Sequence, residues 1–261
     1  MDILASQYQI NTKPMFRLDN INVFKLLGAG SFSQVYLAQN TQTNQLVAIR
    51  SIKKFNQQNI EYLNRIKKKD KIDKFGCSKM LGLINNKYMA MQLHGPSLLK
   101  RIEECGPLSE KETLQFVIRT ATTLDWLQNV CKLAHGDLSP MNFVFDTIDD
   151  YPHNLSNVRL IDFDSLKPWD YVEEKSFGTF VCASPENNEG KPYQYRANDA
   201  FAFGKVINFC ATGRRNLTSQ NKGLCSETIS KIIGFLTAYN PEKRASYRII
   251  INIASNRINE I

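Results

Sequence analysis

Apolar and polar positions follow one pattern up to about residue 95 of this chain and a different pattern after it. In the first part, short apolar or alternating runs are separated by polar or glycine-containing turns, which is typical of β-strands. Because the first three runs are joined by connections too short for helical crossovers, they form an antiparallel meander. The predicted strands are residues 22–27, 34–38, 46–50, 79–84 and 88–92.

Helical periodicity interrupts the strands once. Over residues 59–69, Ile60, Leu63 and Ile66 recur at intervals of three, as they would on one face of a short helix. The three lysines at 67–69 are interpreted as its solvated C-terminal end, where positive charge suits the helix dipole.

Helices dominate after residue 95. Ser109, followed three residues later by Glu112, is a capping-box pattern, and it predicts a helix that runs to Leu127. Residues 200–212 and 227–239 are also predicted to be helical. A five-stranded antiparallel sheet with one helix, followed by a mainly helical half, predicts an α+β fold with two lobes.

The predicted organisation is one domain with short extensions. Its lobes meet near Gly95, after the last predicted strand. The boundaries are an N-terminal extension at 1–17, an N-lobe at 18–94, a C-lobe at 95–255 and a C-terminal tail at 256–261.

Composition narrows the choice of protein class. The chain has 261 residues, of which 43% are hydrophobic, enough for one large domain or two lobes. Lys and Arg outnumber Asp and Glu by 33 to 25, so the formal charge is +8. This balance favours acidic or phosphorylated partners, nucleic acid or an anionic membrane surface without choosing among them. Since no motif interleaves basic and aromatic residues, a soluble enzyme with a basic surface is favoured over a dedicated nucleic-acid binder.

The cysteine pattern and the apolar runs bear on location. The six cysteines form no CxxC pair and no zinc-type spacing with histidine, which predicts reduced thiols. No signal-peptide pattern starts the chain, and no apolar run is long enough to span a bilayer. A cytoplasmic location is therefore predicted, with the nucleus as the alternative; the oligomeric state is open.

A glycine-containing turn joins the first two predicted strands. It reads Gly28, Ala29, Gly30, Ser31, and it leads through Ser33 to the second strand. Glycines in a hairpin are common and carry little information alone. The same position in the protein-kinase template holds GxGxxGxV, whose backbone covers the phosphates of a nucleotide. Ser33 stands at the third glycine and keeps close backbone approach possible.

Two polar motifs later in the chain are more specific. Asp137 and Asn142 lie in the run from His135 to Asn142, and Asp162 follows the apolar strand at 158–161. In the kinase template such an Asp accepts the proton of a substrate hydroxyl, while the Asn and the second Asp bind Mg²⁺. An isolated Asp in a turn usually caps a helix or forms an Asx-turn. Two motifs in this order and spacing, after a glycine turn, favour the functional interpretation.

This order of motifs resembles the eukaryotic protein kinase superfamily over residues 18–255. Ala183-Ser184-Pro185-Glu186 resembles the end of its activation segment. Gly95-Pro96-Ser97-Leu98 resembles a run of the casein kinase 1 group just after the hinge. The resemblance implies a bilobal protein-kinase-like fold, ATP and Mg²⁺ as cofactors, and a protein substrate.

The resemblance also implies residue roles. Asp199 would hold the catalytic loop, Glu186 would pair with Arg244, and Thr179 would face the substrate hydroxyl, favouring Ser or Thr over Tyr. The implied nucleotide site has Met91 as gatekeeper, the Leu93 backbone at the adenine edge, and Val35, Ala48 and Val144 around the ring. For these last three, ordinary core packing is the alternative.

Four departures from the family pattern bear on activity. The lysine of Val-Ala-Ile-Lys, which pairs with phosphates and with the helix glutamate, here Glu61, is replaced by Arg50. Arginine keeps the charge but presents a broad planar fork. Gly136 replaces the arginine of His-Arg-Asp, so activity would not depend on an activation-segment phosphate. Asp164 replaces the glycine of Asp-Phe-Gly, and Ser139 replaces the catalytic-loop lysine.

Three functions remain open from the sequence. The first is a Ser/Thr protein kinase that moves the ATP γ-phosphoryl group to a protein hydroxyl, and it is the prediction preferred here. The second is a pseudokinase scaffold that binds nucleotide with little or no catalysis, and the third is a small-molecule kinase. The predicted activation segment favours a protein substrate over the third. The candidate catalytic residues are Asp137, Ser139, Asn142 and Asp162, and the candidate cofactor-binding residues include Gly28, Ala29, Gly30, Ser31 and Arg50.

Overall fold

The computed structural model describes residues 13–29, 33–52, 56–71, 73–174, 182–215 and 224–261. These residues form two compact units. The first unit contains the described residues up to Asn64 together with Ser78–His94, and the second contains Arg65–Cys77 and Gly95–Ile261.

The first unit is built on one antiparallel sheet. Its strands are β1 (Phe16–Leu18), β2 (Ile21–Ala29), β3 (Gln34–Asn40), β4 (Leu46–Ser51), β5 (Met80–Ile84) and β6 (Tyr88–Gln92). They lie in the order β1-β2-β3-β4-β6-β5, and every neighbouring pair is antiparallel. Asn85 and Asn86 form the turn between β5 and β6, and both residues have positive φ, as the tight turns of β-hairpins often require.

The sheet has six strands, where the sequence predicted five. The additional strand is β1, which pairs with β2 so that Phe16 lies opposite Val23. Asp19 makes the turn between them with a φ of 45°, a conformation that Asp tolerates better than most residues. Phe16 and Leu18 pack against the buried cluster of the sheet. A three-residue alternation is too short to predict a strand by periodicity.

One face of this sheet holds the apolar core of the unit. The cluster consists of Ile21, Val23, Ala38, Val47, Ile49 and Ala90. Because side chains alternate along a strand, the residues between these point to the opposite face.

Helix α1 (Gln57–Lys69) begins in the first unit and ends in the second. Ile60, Leu63 and Ile66 are buried, which confirms the predicted periodicity. The last three residues are lysines and are exposed, as expected for the C-terminal end of a helix.

In the part of the chain that the structure describes, the second unit is mainly helical and contains three two-stranded sheets. The helices are α2 (Leu98–Cys105), α3 (Glu110–Asn129), α4 (Pro185–Asn188), α5 (Tyr195–Thr212), α6 (Glu227–Leu236) and α7 (Tyr247–Ile258). The strands pair as β7 (Leu133–Ala134) with β10 (Lys167–Pro168), β8 (Phe143–Phe145) with β9 (Val158–Leu160), and β11 (Val172–Glu173) with β12 (Tyr193–Gln194). The α+β fold with an antiparallel N-lobe sheet and a helical C-lobe is thereby confirmed.

Helix α3 starts as the sequence predicted. The Ser109 hydroxyl accepts a hydrogen bond from the Glu112 amide at 3.3 Å, and the Glu112 carboxylate accepts one from the Ser109 amide at 2.8 Å. Two N–H groups that the helix itself cannot satisfy are thus paired. The helix ends at Asn129, two residues later than predicted.

Helix α5 is buried along most of its length. It packs against α3 and α6 and carries Asp199 into the interior. No helix in the described part of the chain is long and apolar enough to cross a membrane. The six cysteines are all free thiols.

Candidate active site

The segment between β7 and β8 carries the predicted catalytic loop. Pro140–Asn142 forms a short 3₁₀ turn, in which the Asn142 amide donates to the Ser139 carbonyl at 3.0 Å. The side-chain amide of Asn142 donates to the Asp137 carbonyl at 2.7 Å. The loop is therefore closed by its own polar groups, and the backbone of Asp137 is tied to Asn142.

Asp162 is brought to the same loop by β9. The Ile161 amide donates to the Asn142 carbonyl at 2.9 Å, so Asp162 follows directly after a residue bonded to the loop. Asp162 has φ 62° and ψ 72°, in the left-handed region. Through its side-chain amide and its backbone carbonyl, Asn142 thus connects the backbone of Asp137 to Ile161, the residue before Asp162. Ser139 is buried beside them, with 6% of its surface exposed.

Asp199 holds the loop from helix α5, which confirms the role implied by the resemblance. Its two carboxylate oxygens accept hydrogen bonds from the amides of His135 at 2.6 Å and Gly136 at 2.8 Å. Burial raises the pKa of the Asp199 carboxyl to about 6, although His135 and the two amide donors act in the opposite direction. The two bonds fix the backbone immediately before Asp137.

The rings of His135 and Phe163 also connect the two motifs. Their centroids are 5.5 Å apart in an edge-to-face arrangement, and both side chains are buried. Asp164, which stands where the family has glycine, is exposed. Since its side chain points to solvent rather than into the core, glycine is not required there for packing.

In the first unit, four of the predicted nucleotide-site residues share one face of the sheet. Strand register places Val35 opposite Arg50 and Ala48 opposite Met91. Ala48 and Arg50 are two positions apart on β4. Val47 and Ile49, the residues on either side of Ala48, point into the apolar cluster. Val35, Ala48, Arg50 and Met91 therefore line the face opposite to the core.

Arg50 is held by Ser33. Its Nε donates to the Ser33 hydroxyl at 2.9 Å, and only 8% of the arginine is exposed. The sequence presented Ser33 only as a substitute for glycine, so its contact with Arg50 was missed. Ser33 directly precedes β3, and Arg50 lies on the neighbouring strand β4. The register that places Val35 opposite Arg50 brings Ser33 and Arg50 together.

Glu61 lies on the exposed side of α1, while the next residue, Tyr62, is 5% exposed. An exposed carboxylate is not the buried partner that a helix glutamate supplies to the β-strand cation. The pairing of Glu61 with Arg50 stays a prediction.

The glycine turn is described only in part. Gly28 and Ala29 end β2, opposite Val35 and Gln34. A Cβ built on Gly28 would meet no atom within 4 Å in the described part of the chain, so internal packing does not require glycine there. Gly30, Ser31 and Thr179 lie outside the described residues.

The remaining predicted residues are Leu93 and Val144. Leu93 follows the end of β6 and is partly buried. Val144 lies on β8 in the second unit and is 7% exposed. The contact of Val144 with adenine stays a prediction.

Local packing and capping explain three residues of the run at 95–98. A Cβ on Gly95 would come within 2.4 Å of the Thr147 carbonyl oxygen. The Ser97 hydroxyl caps helix α2 by accepting from the Lys100 amide at 3.2 Å, and Leu98 is fully buried. Packing and capping thus account for the residue types.

The donor set at the catalytic loop fits Mg²⁺ held partly by a nucleotide. Because the Asn142 side-chain nitrogen donates to Asp137, its oxygen is turned away from that bond and is available as a ligand. Asp162 supplies a carboxylate directly after Ile161, whose amide is bonded to Asn142. The described residues hold no cluster of three or more His, Cys, Asp or Glu side chains suited to a metal. Mg²⁺ commonly takes one or two protein ligands and completes its shell with phosphate and water.

With this geometry in place, comparison with protein families is decisive. The pattern of the protein kinase domain matches residues 21–254, which is nearly the whole chain. The chain belongs to the protein kinase family.

Curated relatives are similar across much of this kinase domain. A probable serine/threonine-protein kinase ndrC of Dictyostelium discoideum is 28% identical over 59% of the chain. The carbon catabolite-derepressing protein kinase of Candida tropicalis is 26% identical over 78%, and the probable serine/threonine-protein kinase PkwA of Thermomonospora curvata is 27% identical over 84%. The chain spans 11%, 33% and 29% of their respective lengths.

The kinase domain keeps the ion pair at the end of its activation segment. Arg244 Nη1 and Nη2 donate to the two carboxylate oxygens of Glu186 at 2.6 and 2.8 Å. Burial acts to raise the pKa of Glu186, but the hydrogen bonds and charge of Arg244, together with hydrogen bonds from the Glu186 amide and from Ser184, hold the pKa below its usual value. The pairing implied by the resemblance is confirmed.

One group near the catalytic loop was missed by sequence reasoning. Tyr195 lies against Gly136, which the sequence presented only as the loss of an arginine. The available signal was the concentration of tyrosines at 171, 193 and 195, with the last two at strand spacing.

Proposed function

We propose that this protein kinase domain transfers the γ-phosphoryl group of ATP to a Ser or Thr hydroxyl of a protein substrate. The observation that carries the proposal is the connected set of Asp137, Asn142 and Asp162, held by Asn142 hydrogen bonds of 2.7 and 2.9 Å. A scaffold without catalysis has no chemical need for all three residues in one bonded arrangement.

Each residue has a separate task in the proposed reaction. Asp137 orients the attacking hydroxyl and accepts its proton. Asn142 Oδ1 and the Asp162 carboxylate would hold Mg²⁺, and Asp199 keeps the backbone before Asp137 in place through its two hydrogen bonds. When bound, Mg²⁺-ATP supplies the phosphoryl group and neutralises its charge. Arg50 would contact phosphate oxygens from the sheet, and Ser139 leaves the catalytic loop without the usual lysine.

Sheet geometry supports a nucleotide site on the first unit. Val35, Ala48 and Met91 present small or apolar side chains on the face opposite the core, next to Arg50. Such a face suits the flat apolar surface of adenine with a cation beside its phosphates. The space beside the α-carbon of Gly28 holds no other atom of the described residues, which suits close approach of a ligand to the backbone.

Two observations support a substrate class for this domain. The named relatives include two proteins described as probable serine/threonine kinases, which supports Ser or Thr as acceptor. The basic balance of the whole chain, with 33 Lys and Arg against 25 Asp and Glu, favours acidic or phosphorylated protein segments. The casein kinase 1 resemblance is part of this proposal and rests on the Gly95–Leu98 run.

A nucleotide-binding pseudokinase is the second candidate, and one observation favours it. Glu61 is exposed, and Arg50 Nε is occupied by the Ser33 hydroxyl. If this arrangement persists with nucleotide bound, the site lacks the ion pair between a strand cation and a helix glutamate that positions the phosphates in active kinases. The domain would then bind Mg²⁺-ATP without turning it over.

Nucleotide binding and transfer can be measured separately. Thermal unfolding is followed with millimolar ATP, with and without Mg²⁺, for the wild type and for Asp162→Asn. Transfer of radiolabelled phosphate to casein and to the domain itself is followed for the wild type and for Asp137→Ala. The proposal expects a Mg²⁺-dependent stabilisation that Asp162→Asn removes, and labelling that Asp137→Ala abolishes.

The outcomes distinguish the candidates. Stabilisation by Mg²⁺-ATP without labelling supports the pseudokinase. Equal labelling by the wild type and by Asp137→Ala contradicts the proposed role of Asp137. Absence of any stabilisation at millimolar nucleotide contradicts both candidates, because each requires the site to bind ATP.

A further inference from the structure

Gly136 has no room for a side chain. Its φ is 82°, in the region that favours glycine. A Cβ built on it would lie 2.4 Å from Cε1 of Tyr195 and 2.8 Å from the carbonyl oxygen of Ser165. The aromatic ring of Tyr195 therefore occupies the space that a side chain at position 136 would enter.

Tyr195 belongs to a small cluster of rings, here called the tyrosine cluster, formed by the buried Tyr193 and Tyr195 and the exposed Tyr171. Tyr195 is 1% exposed and Tyr193 is 4% exposed. Their rings stack with centroids 5.9 Å apart and an interplanar angle of 13°. Tyr171 meets Tyr195 edge-to-face at 5.5 Å, an arrangement that aromatic pairs favour. The cluster thus ties the start of α5 to the segment that contains Tyr171.

Backbone pairing attaches the same segment at three points. The Tyr195 amide donates to the Tyr171 carbonyl at 3.0 Å. Strand β11 pairs with β12 directly after Tyr171, and β10 pairs with β7 before it. Ala134 of β7, next to the catalytic loop, packs in one apolar group with Tyr193 and Tyr195. The cluster therefore lies between the catalytic loop and residues 165–174.

We infer that Tyr195 is a positioning residue for Asp137, and that the tyrosine cluster holds residues 165–174 against the catalytic loop without any phosphate group. Asp137 directly follows Gly136, whose amide is fixed by Asp199 at 2.8 Å and whose α-carbon is packed against the Tyr195 ring. Packing is short-ranged, so loss of the ring frees the loop to shift. A misplacement of about 1 Å can cost about 100-fold in rate.

The ring, and not the hydroxyl, carries this role. The observed contacts of Tyr195 are those of its ring, which packs on Gly136, stacks on Tyr193 and meets Tyr171 edge-to-face. Tyr195→Phe keeps the ring and is the conservative variant. Tyr195→Leu removes the ring but leaves an apolar side chain.

Backbone hydrogen exchange without nucleotide tests the inference directly. We expect Tyr195→Leu to raise exchange at residues 133–142 and 165–174 by at least about tenfold, because both segments lose their common contact. Tyr195→Phe should exchange like the wild type. Ile229→Ala, which empties a buried position of α6, controls for general destabilisation and should not act selectively on those two segments. Unchanged exchange in Tyr195→Leu overturns the inference.

A double-mutant cycle gives a second reading. The melting temperature is measured for Gly136→Ala, for Tyr195→Ala and for both together. Backbone strain at Gly136 is common to both backgrounds, so any difference reports the contact with the ring. Gly136→Ala should cost clearly less in the Tyr195→Ala background. An equal cost in both backgrounds contradicts the proposed contact. If Tyr195→Leu does not fold, Tyr171→Leu, whose side chain is partly exposed, replaces it in the exchange experiment.

The effect on turnover rests on the proposed phosphotransferase function. We expect Tyr195→Leu to lower kcat by at least about tenfold with KM for ATP unchanged, and Tyr195→Phe to keep both values. Phosphatase treatment of the wild type should leave its activity unchanged, and loss of activity on that treatment overturns the phosphate-independent hold. If the wild type transfers no phosphate, the proposed function fails, while exchange and the cycle still decide the role of the cluster.

Discussion

The Asp199 carboxylate accepts hydrogen bonds from two consecutive amides of the catalytic loop, and burial raises its pKa to about 6, above the ordinary value of 3.8. At the scale of single residues, this carboxylate has the clearest electrostatic consequence. Between those two values the folded protein binds more protons than the unfolded chain. The free energy of unfolding therefore rises as pH falls from about 7 through 6, and the gain levels off below the ordinary pKa.

We predict that Asp199→Asn separates this contribution from other titrations. Asparagine has one acceptor oxygen for two amide donors, so the variant should lose about 1–3 kcal/mol at pH 7. The wild type should gain free energy of unfolding relative to the variant as pH is lowered from 7 to 5. Denaturant unfolding at several pH values measures the difference, and a difference that shrinks on acidification contradicts the raised pKa.

Arg50 stands where the family has a lysine, and its contact with Ser33 makes its effect on catalysis testable. Its Nε is fixed by the Ser33 hydroxyl, so the broad guanidinium has little freedom to follow a phosphate. We predict that Arg50→Lys keeps stabilisation by Mg²⁺-ATP and raises kcat, by about tenfold or more, since small errors of position have large effects on rate.

Steady-state transfer to casein measures this change. Arg17→Lys makes the same change at an exposed residue of β1. It is the matched control and should leave kcat unaltered. Loss of nucleotide binding in Arg50→Lys would show that Arg50 is required in its present form. No transfer by either protein would support the pseudokinase.

At the scale of elements, the Glu186–Arg244 pair connects α4 to the segment before α7. Arg244 has a side chain only 2% exposed, and it also donates to the Ala197 carbonyl at 2.9 Å. Removing it leaves a partly buried carboxylate and an unpaired carbonyl. We predict that Arg244→Ala lowers the free energy of unfolding by about 3–5 kcal/mol.

Arg248 offers a control on the same stretch of chain. Its side chain is 75% exposed and lies 3.4 Å from Asp125. Exposed pairs contribute little, so Arg248→Ala should cost less than about 1 kcal/mol. Chemical denaturation compares the two variants, and similar losses for both would contradict the importance of burial at Glu186.

Elements with long periodic patterns could be predicted from the sequence, and short ones could not. The capping box at Ser109 and the strand at residues 88–92 were located correctly, because local hydrogen bonding and alternation determine them. Strand β1 was missed, since three residues show no period and its formation depends on pairing with β2. The two-residue strands β10 and β11 depend in the same way on partners distant in sequence.

Candidate site residues were predictable where a motif fixes their spacing. Asp137, Asn142 and Asp162 could be named because eight residues of one loop and one strand end carry them. The packing of Tyr195 on Gly136 could not, because 59 positions of chain separate the two, as their numbers show, and no local pattern relates them. The exposed position of Glu61 was likewise missed, since helical periodicity alone does not identify which polar residue faces inward.

At the scale of the whole molecule, the predicted nucleotide-site residues are divided between the two units. Val35, Ala48, Arg50 and Met91 belong to the first, and Asp137, Asn142, Val144 and Asp162 belong to the second. We predict that these residues still catalyse transfer although the lysines and the arginine usual in the family are absent.

The most direct measurement is the rate of phosphate transfer from radiolabelled ATP at saturating Mg²⁺ for the wild type and for Asp137→Asn. Asp19→Asn, an exposed turn aspartate, is the control for the same chemical change. The account predicts Mg²⁺-dependent labelling of Ser or Thr, a fall of at least about 100-fold in Asp137→Asn, and no change in Asp19→Asn. Wild-type labelling no greater than that of Asp137→Asn would contradict it.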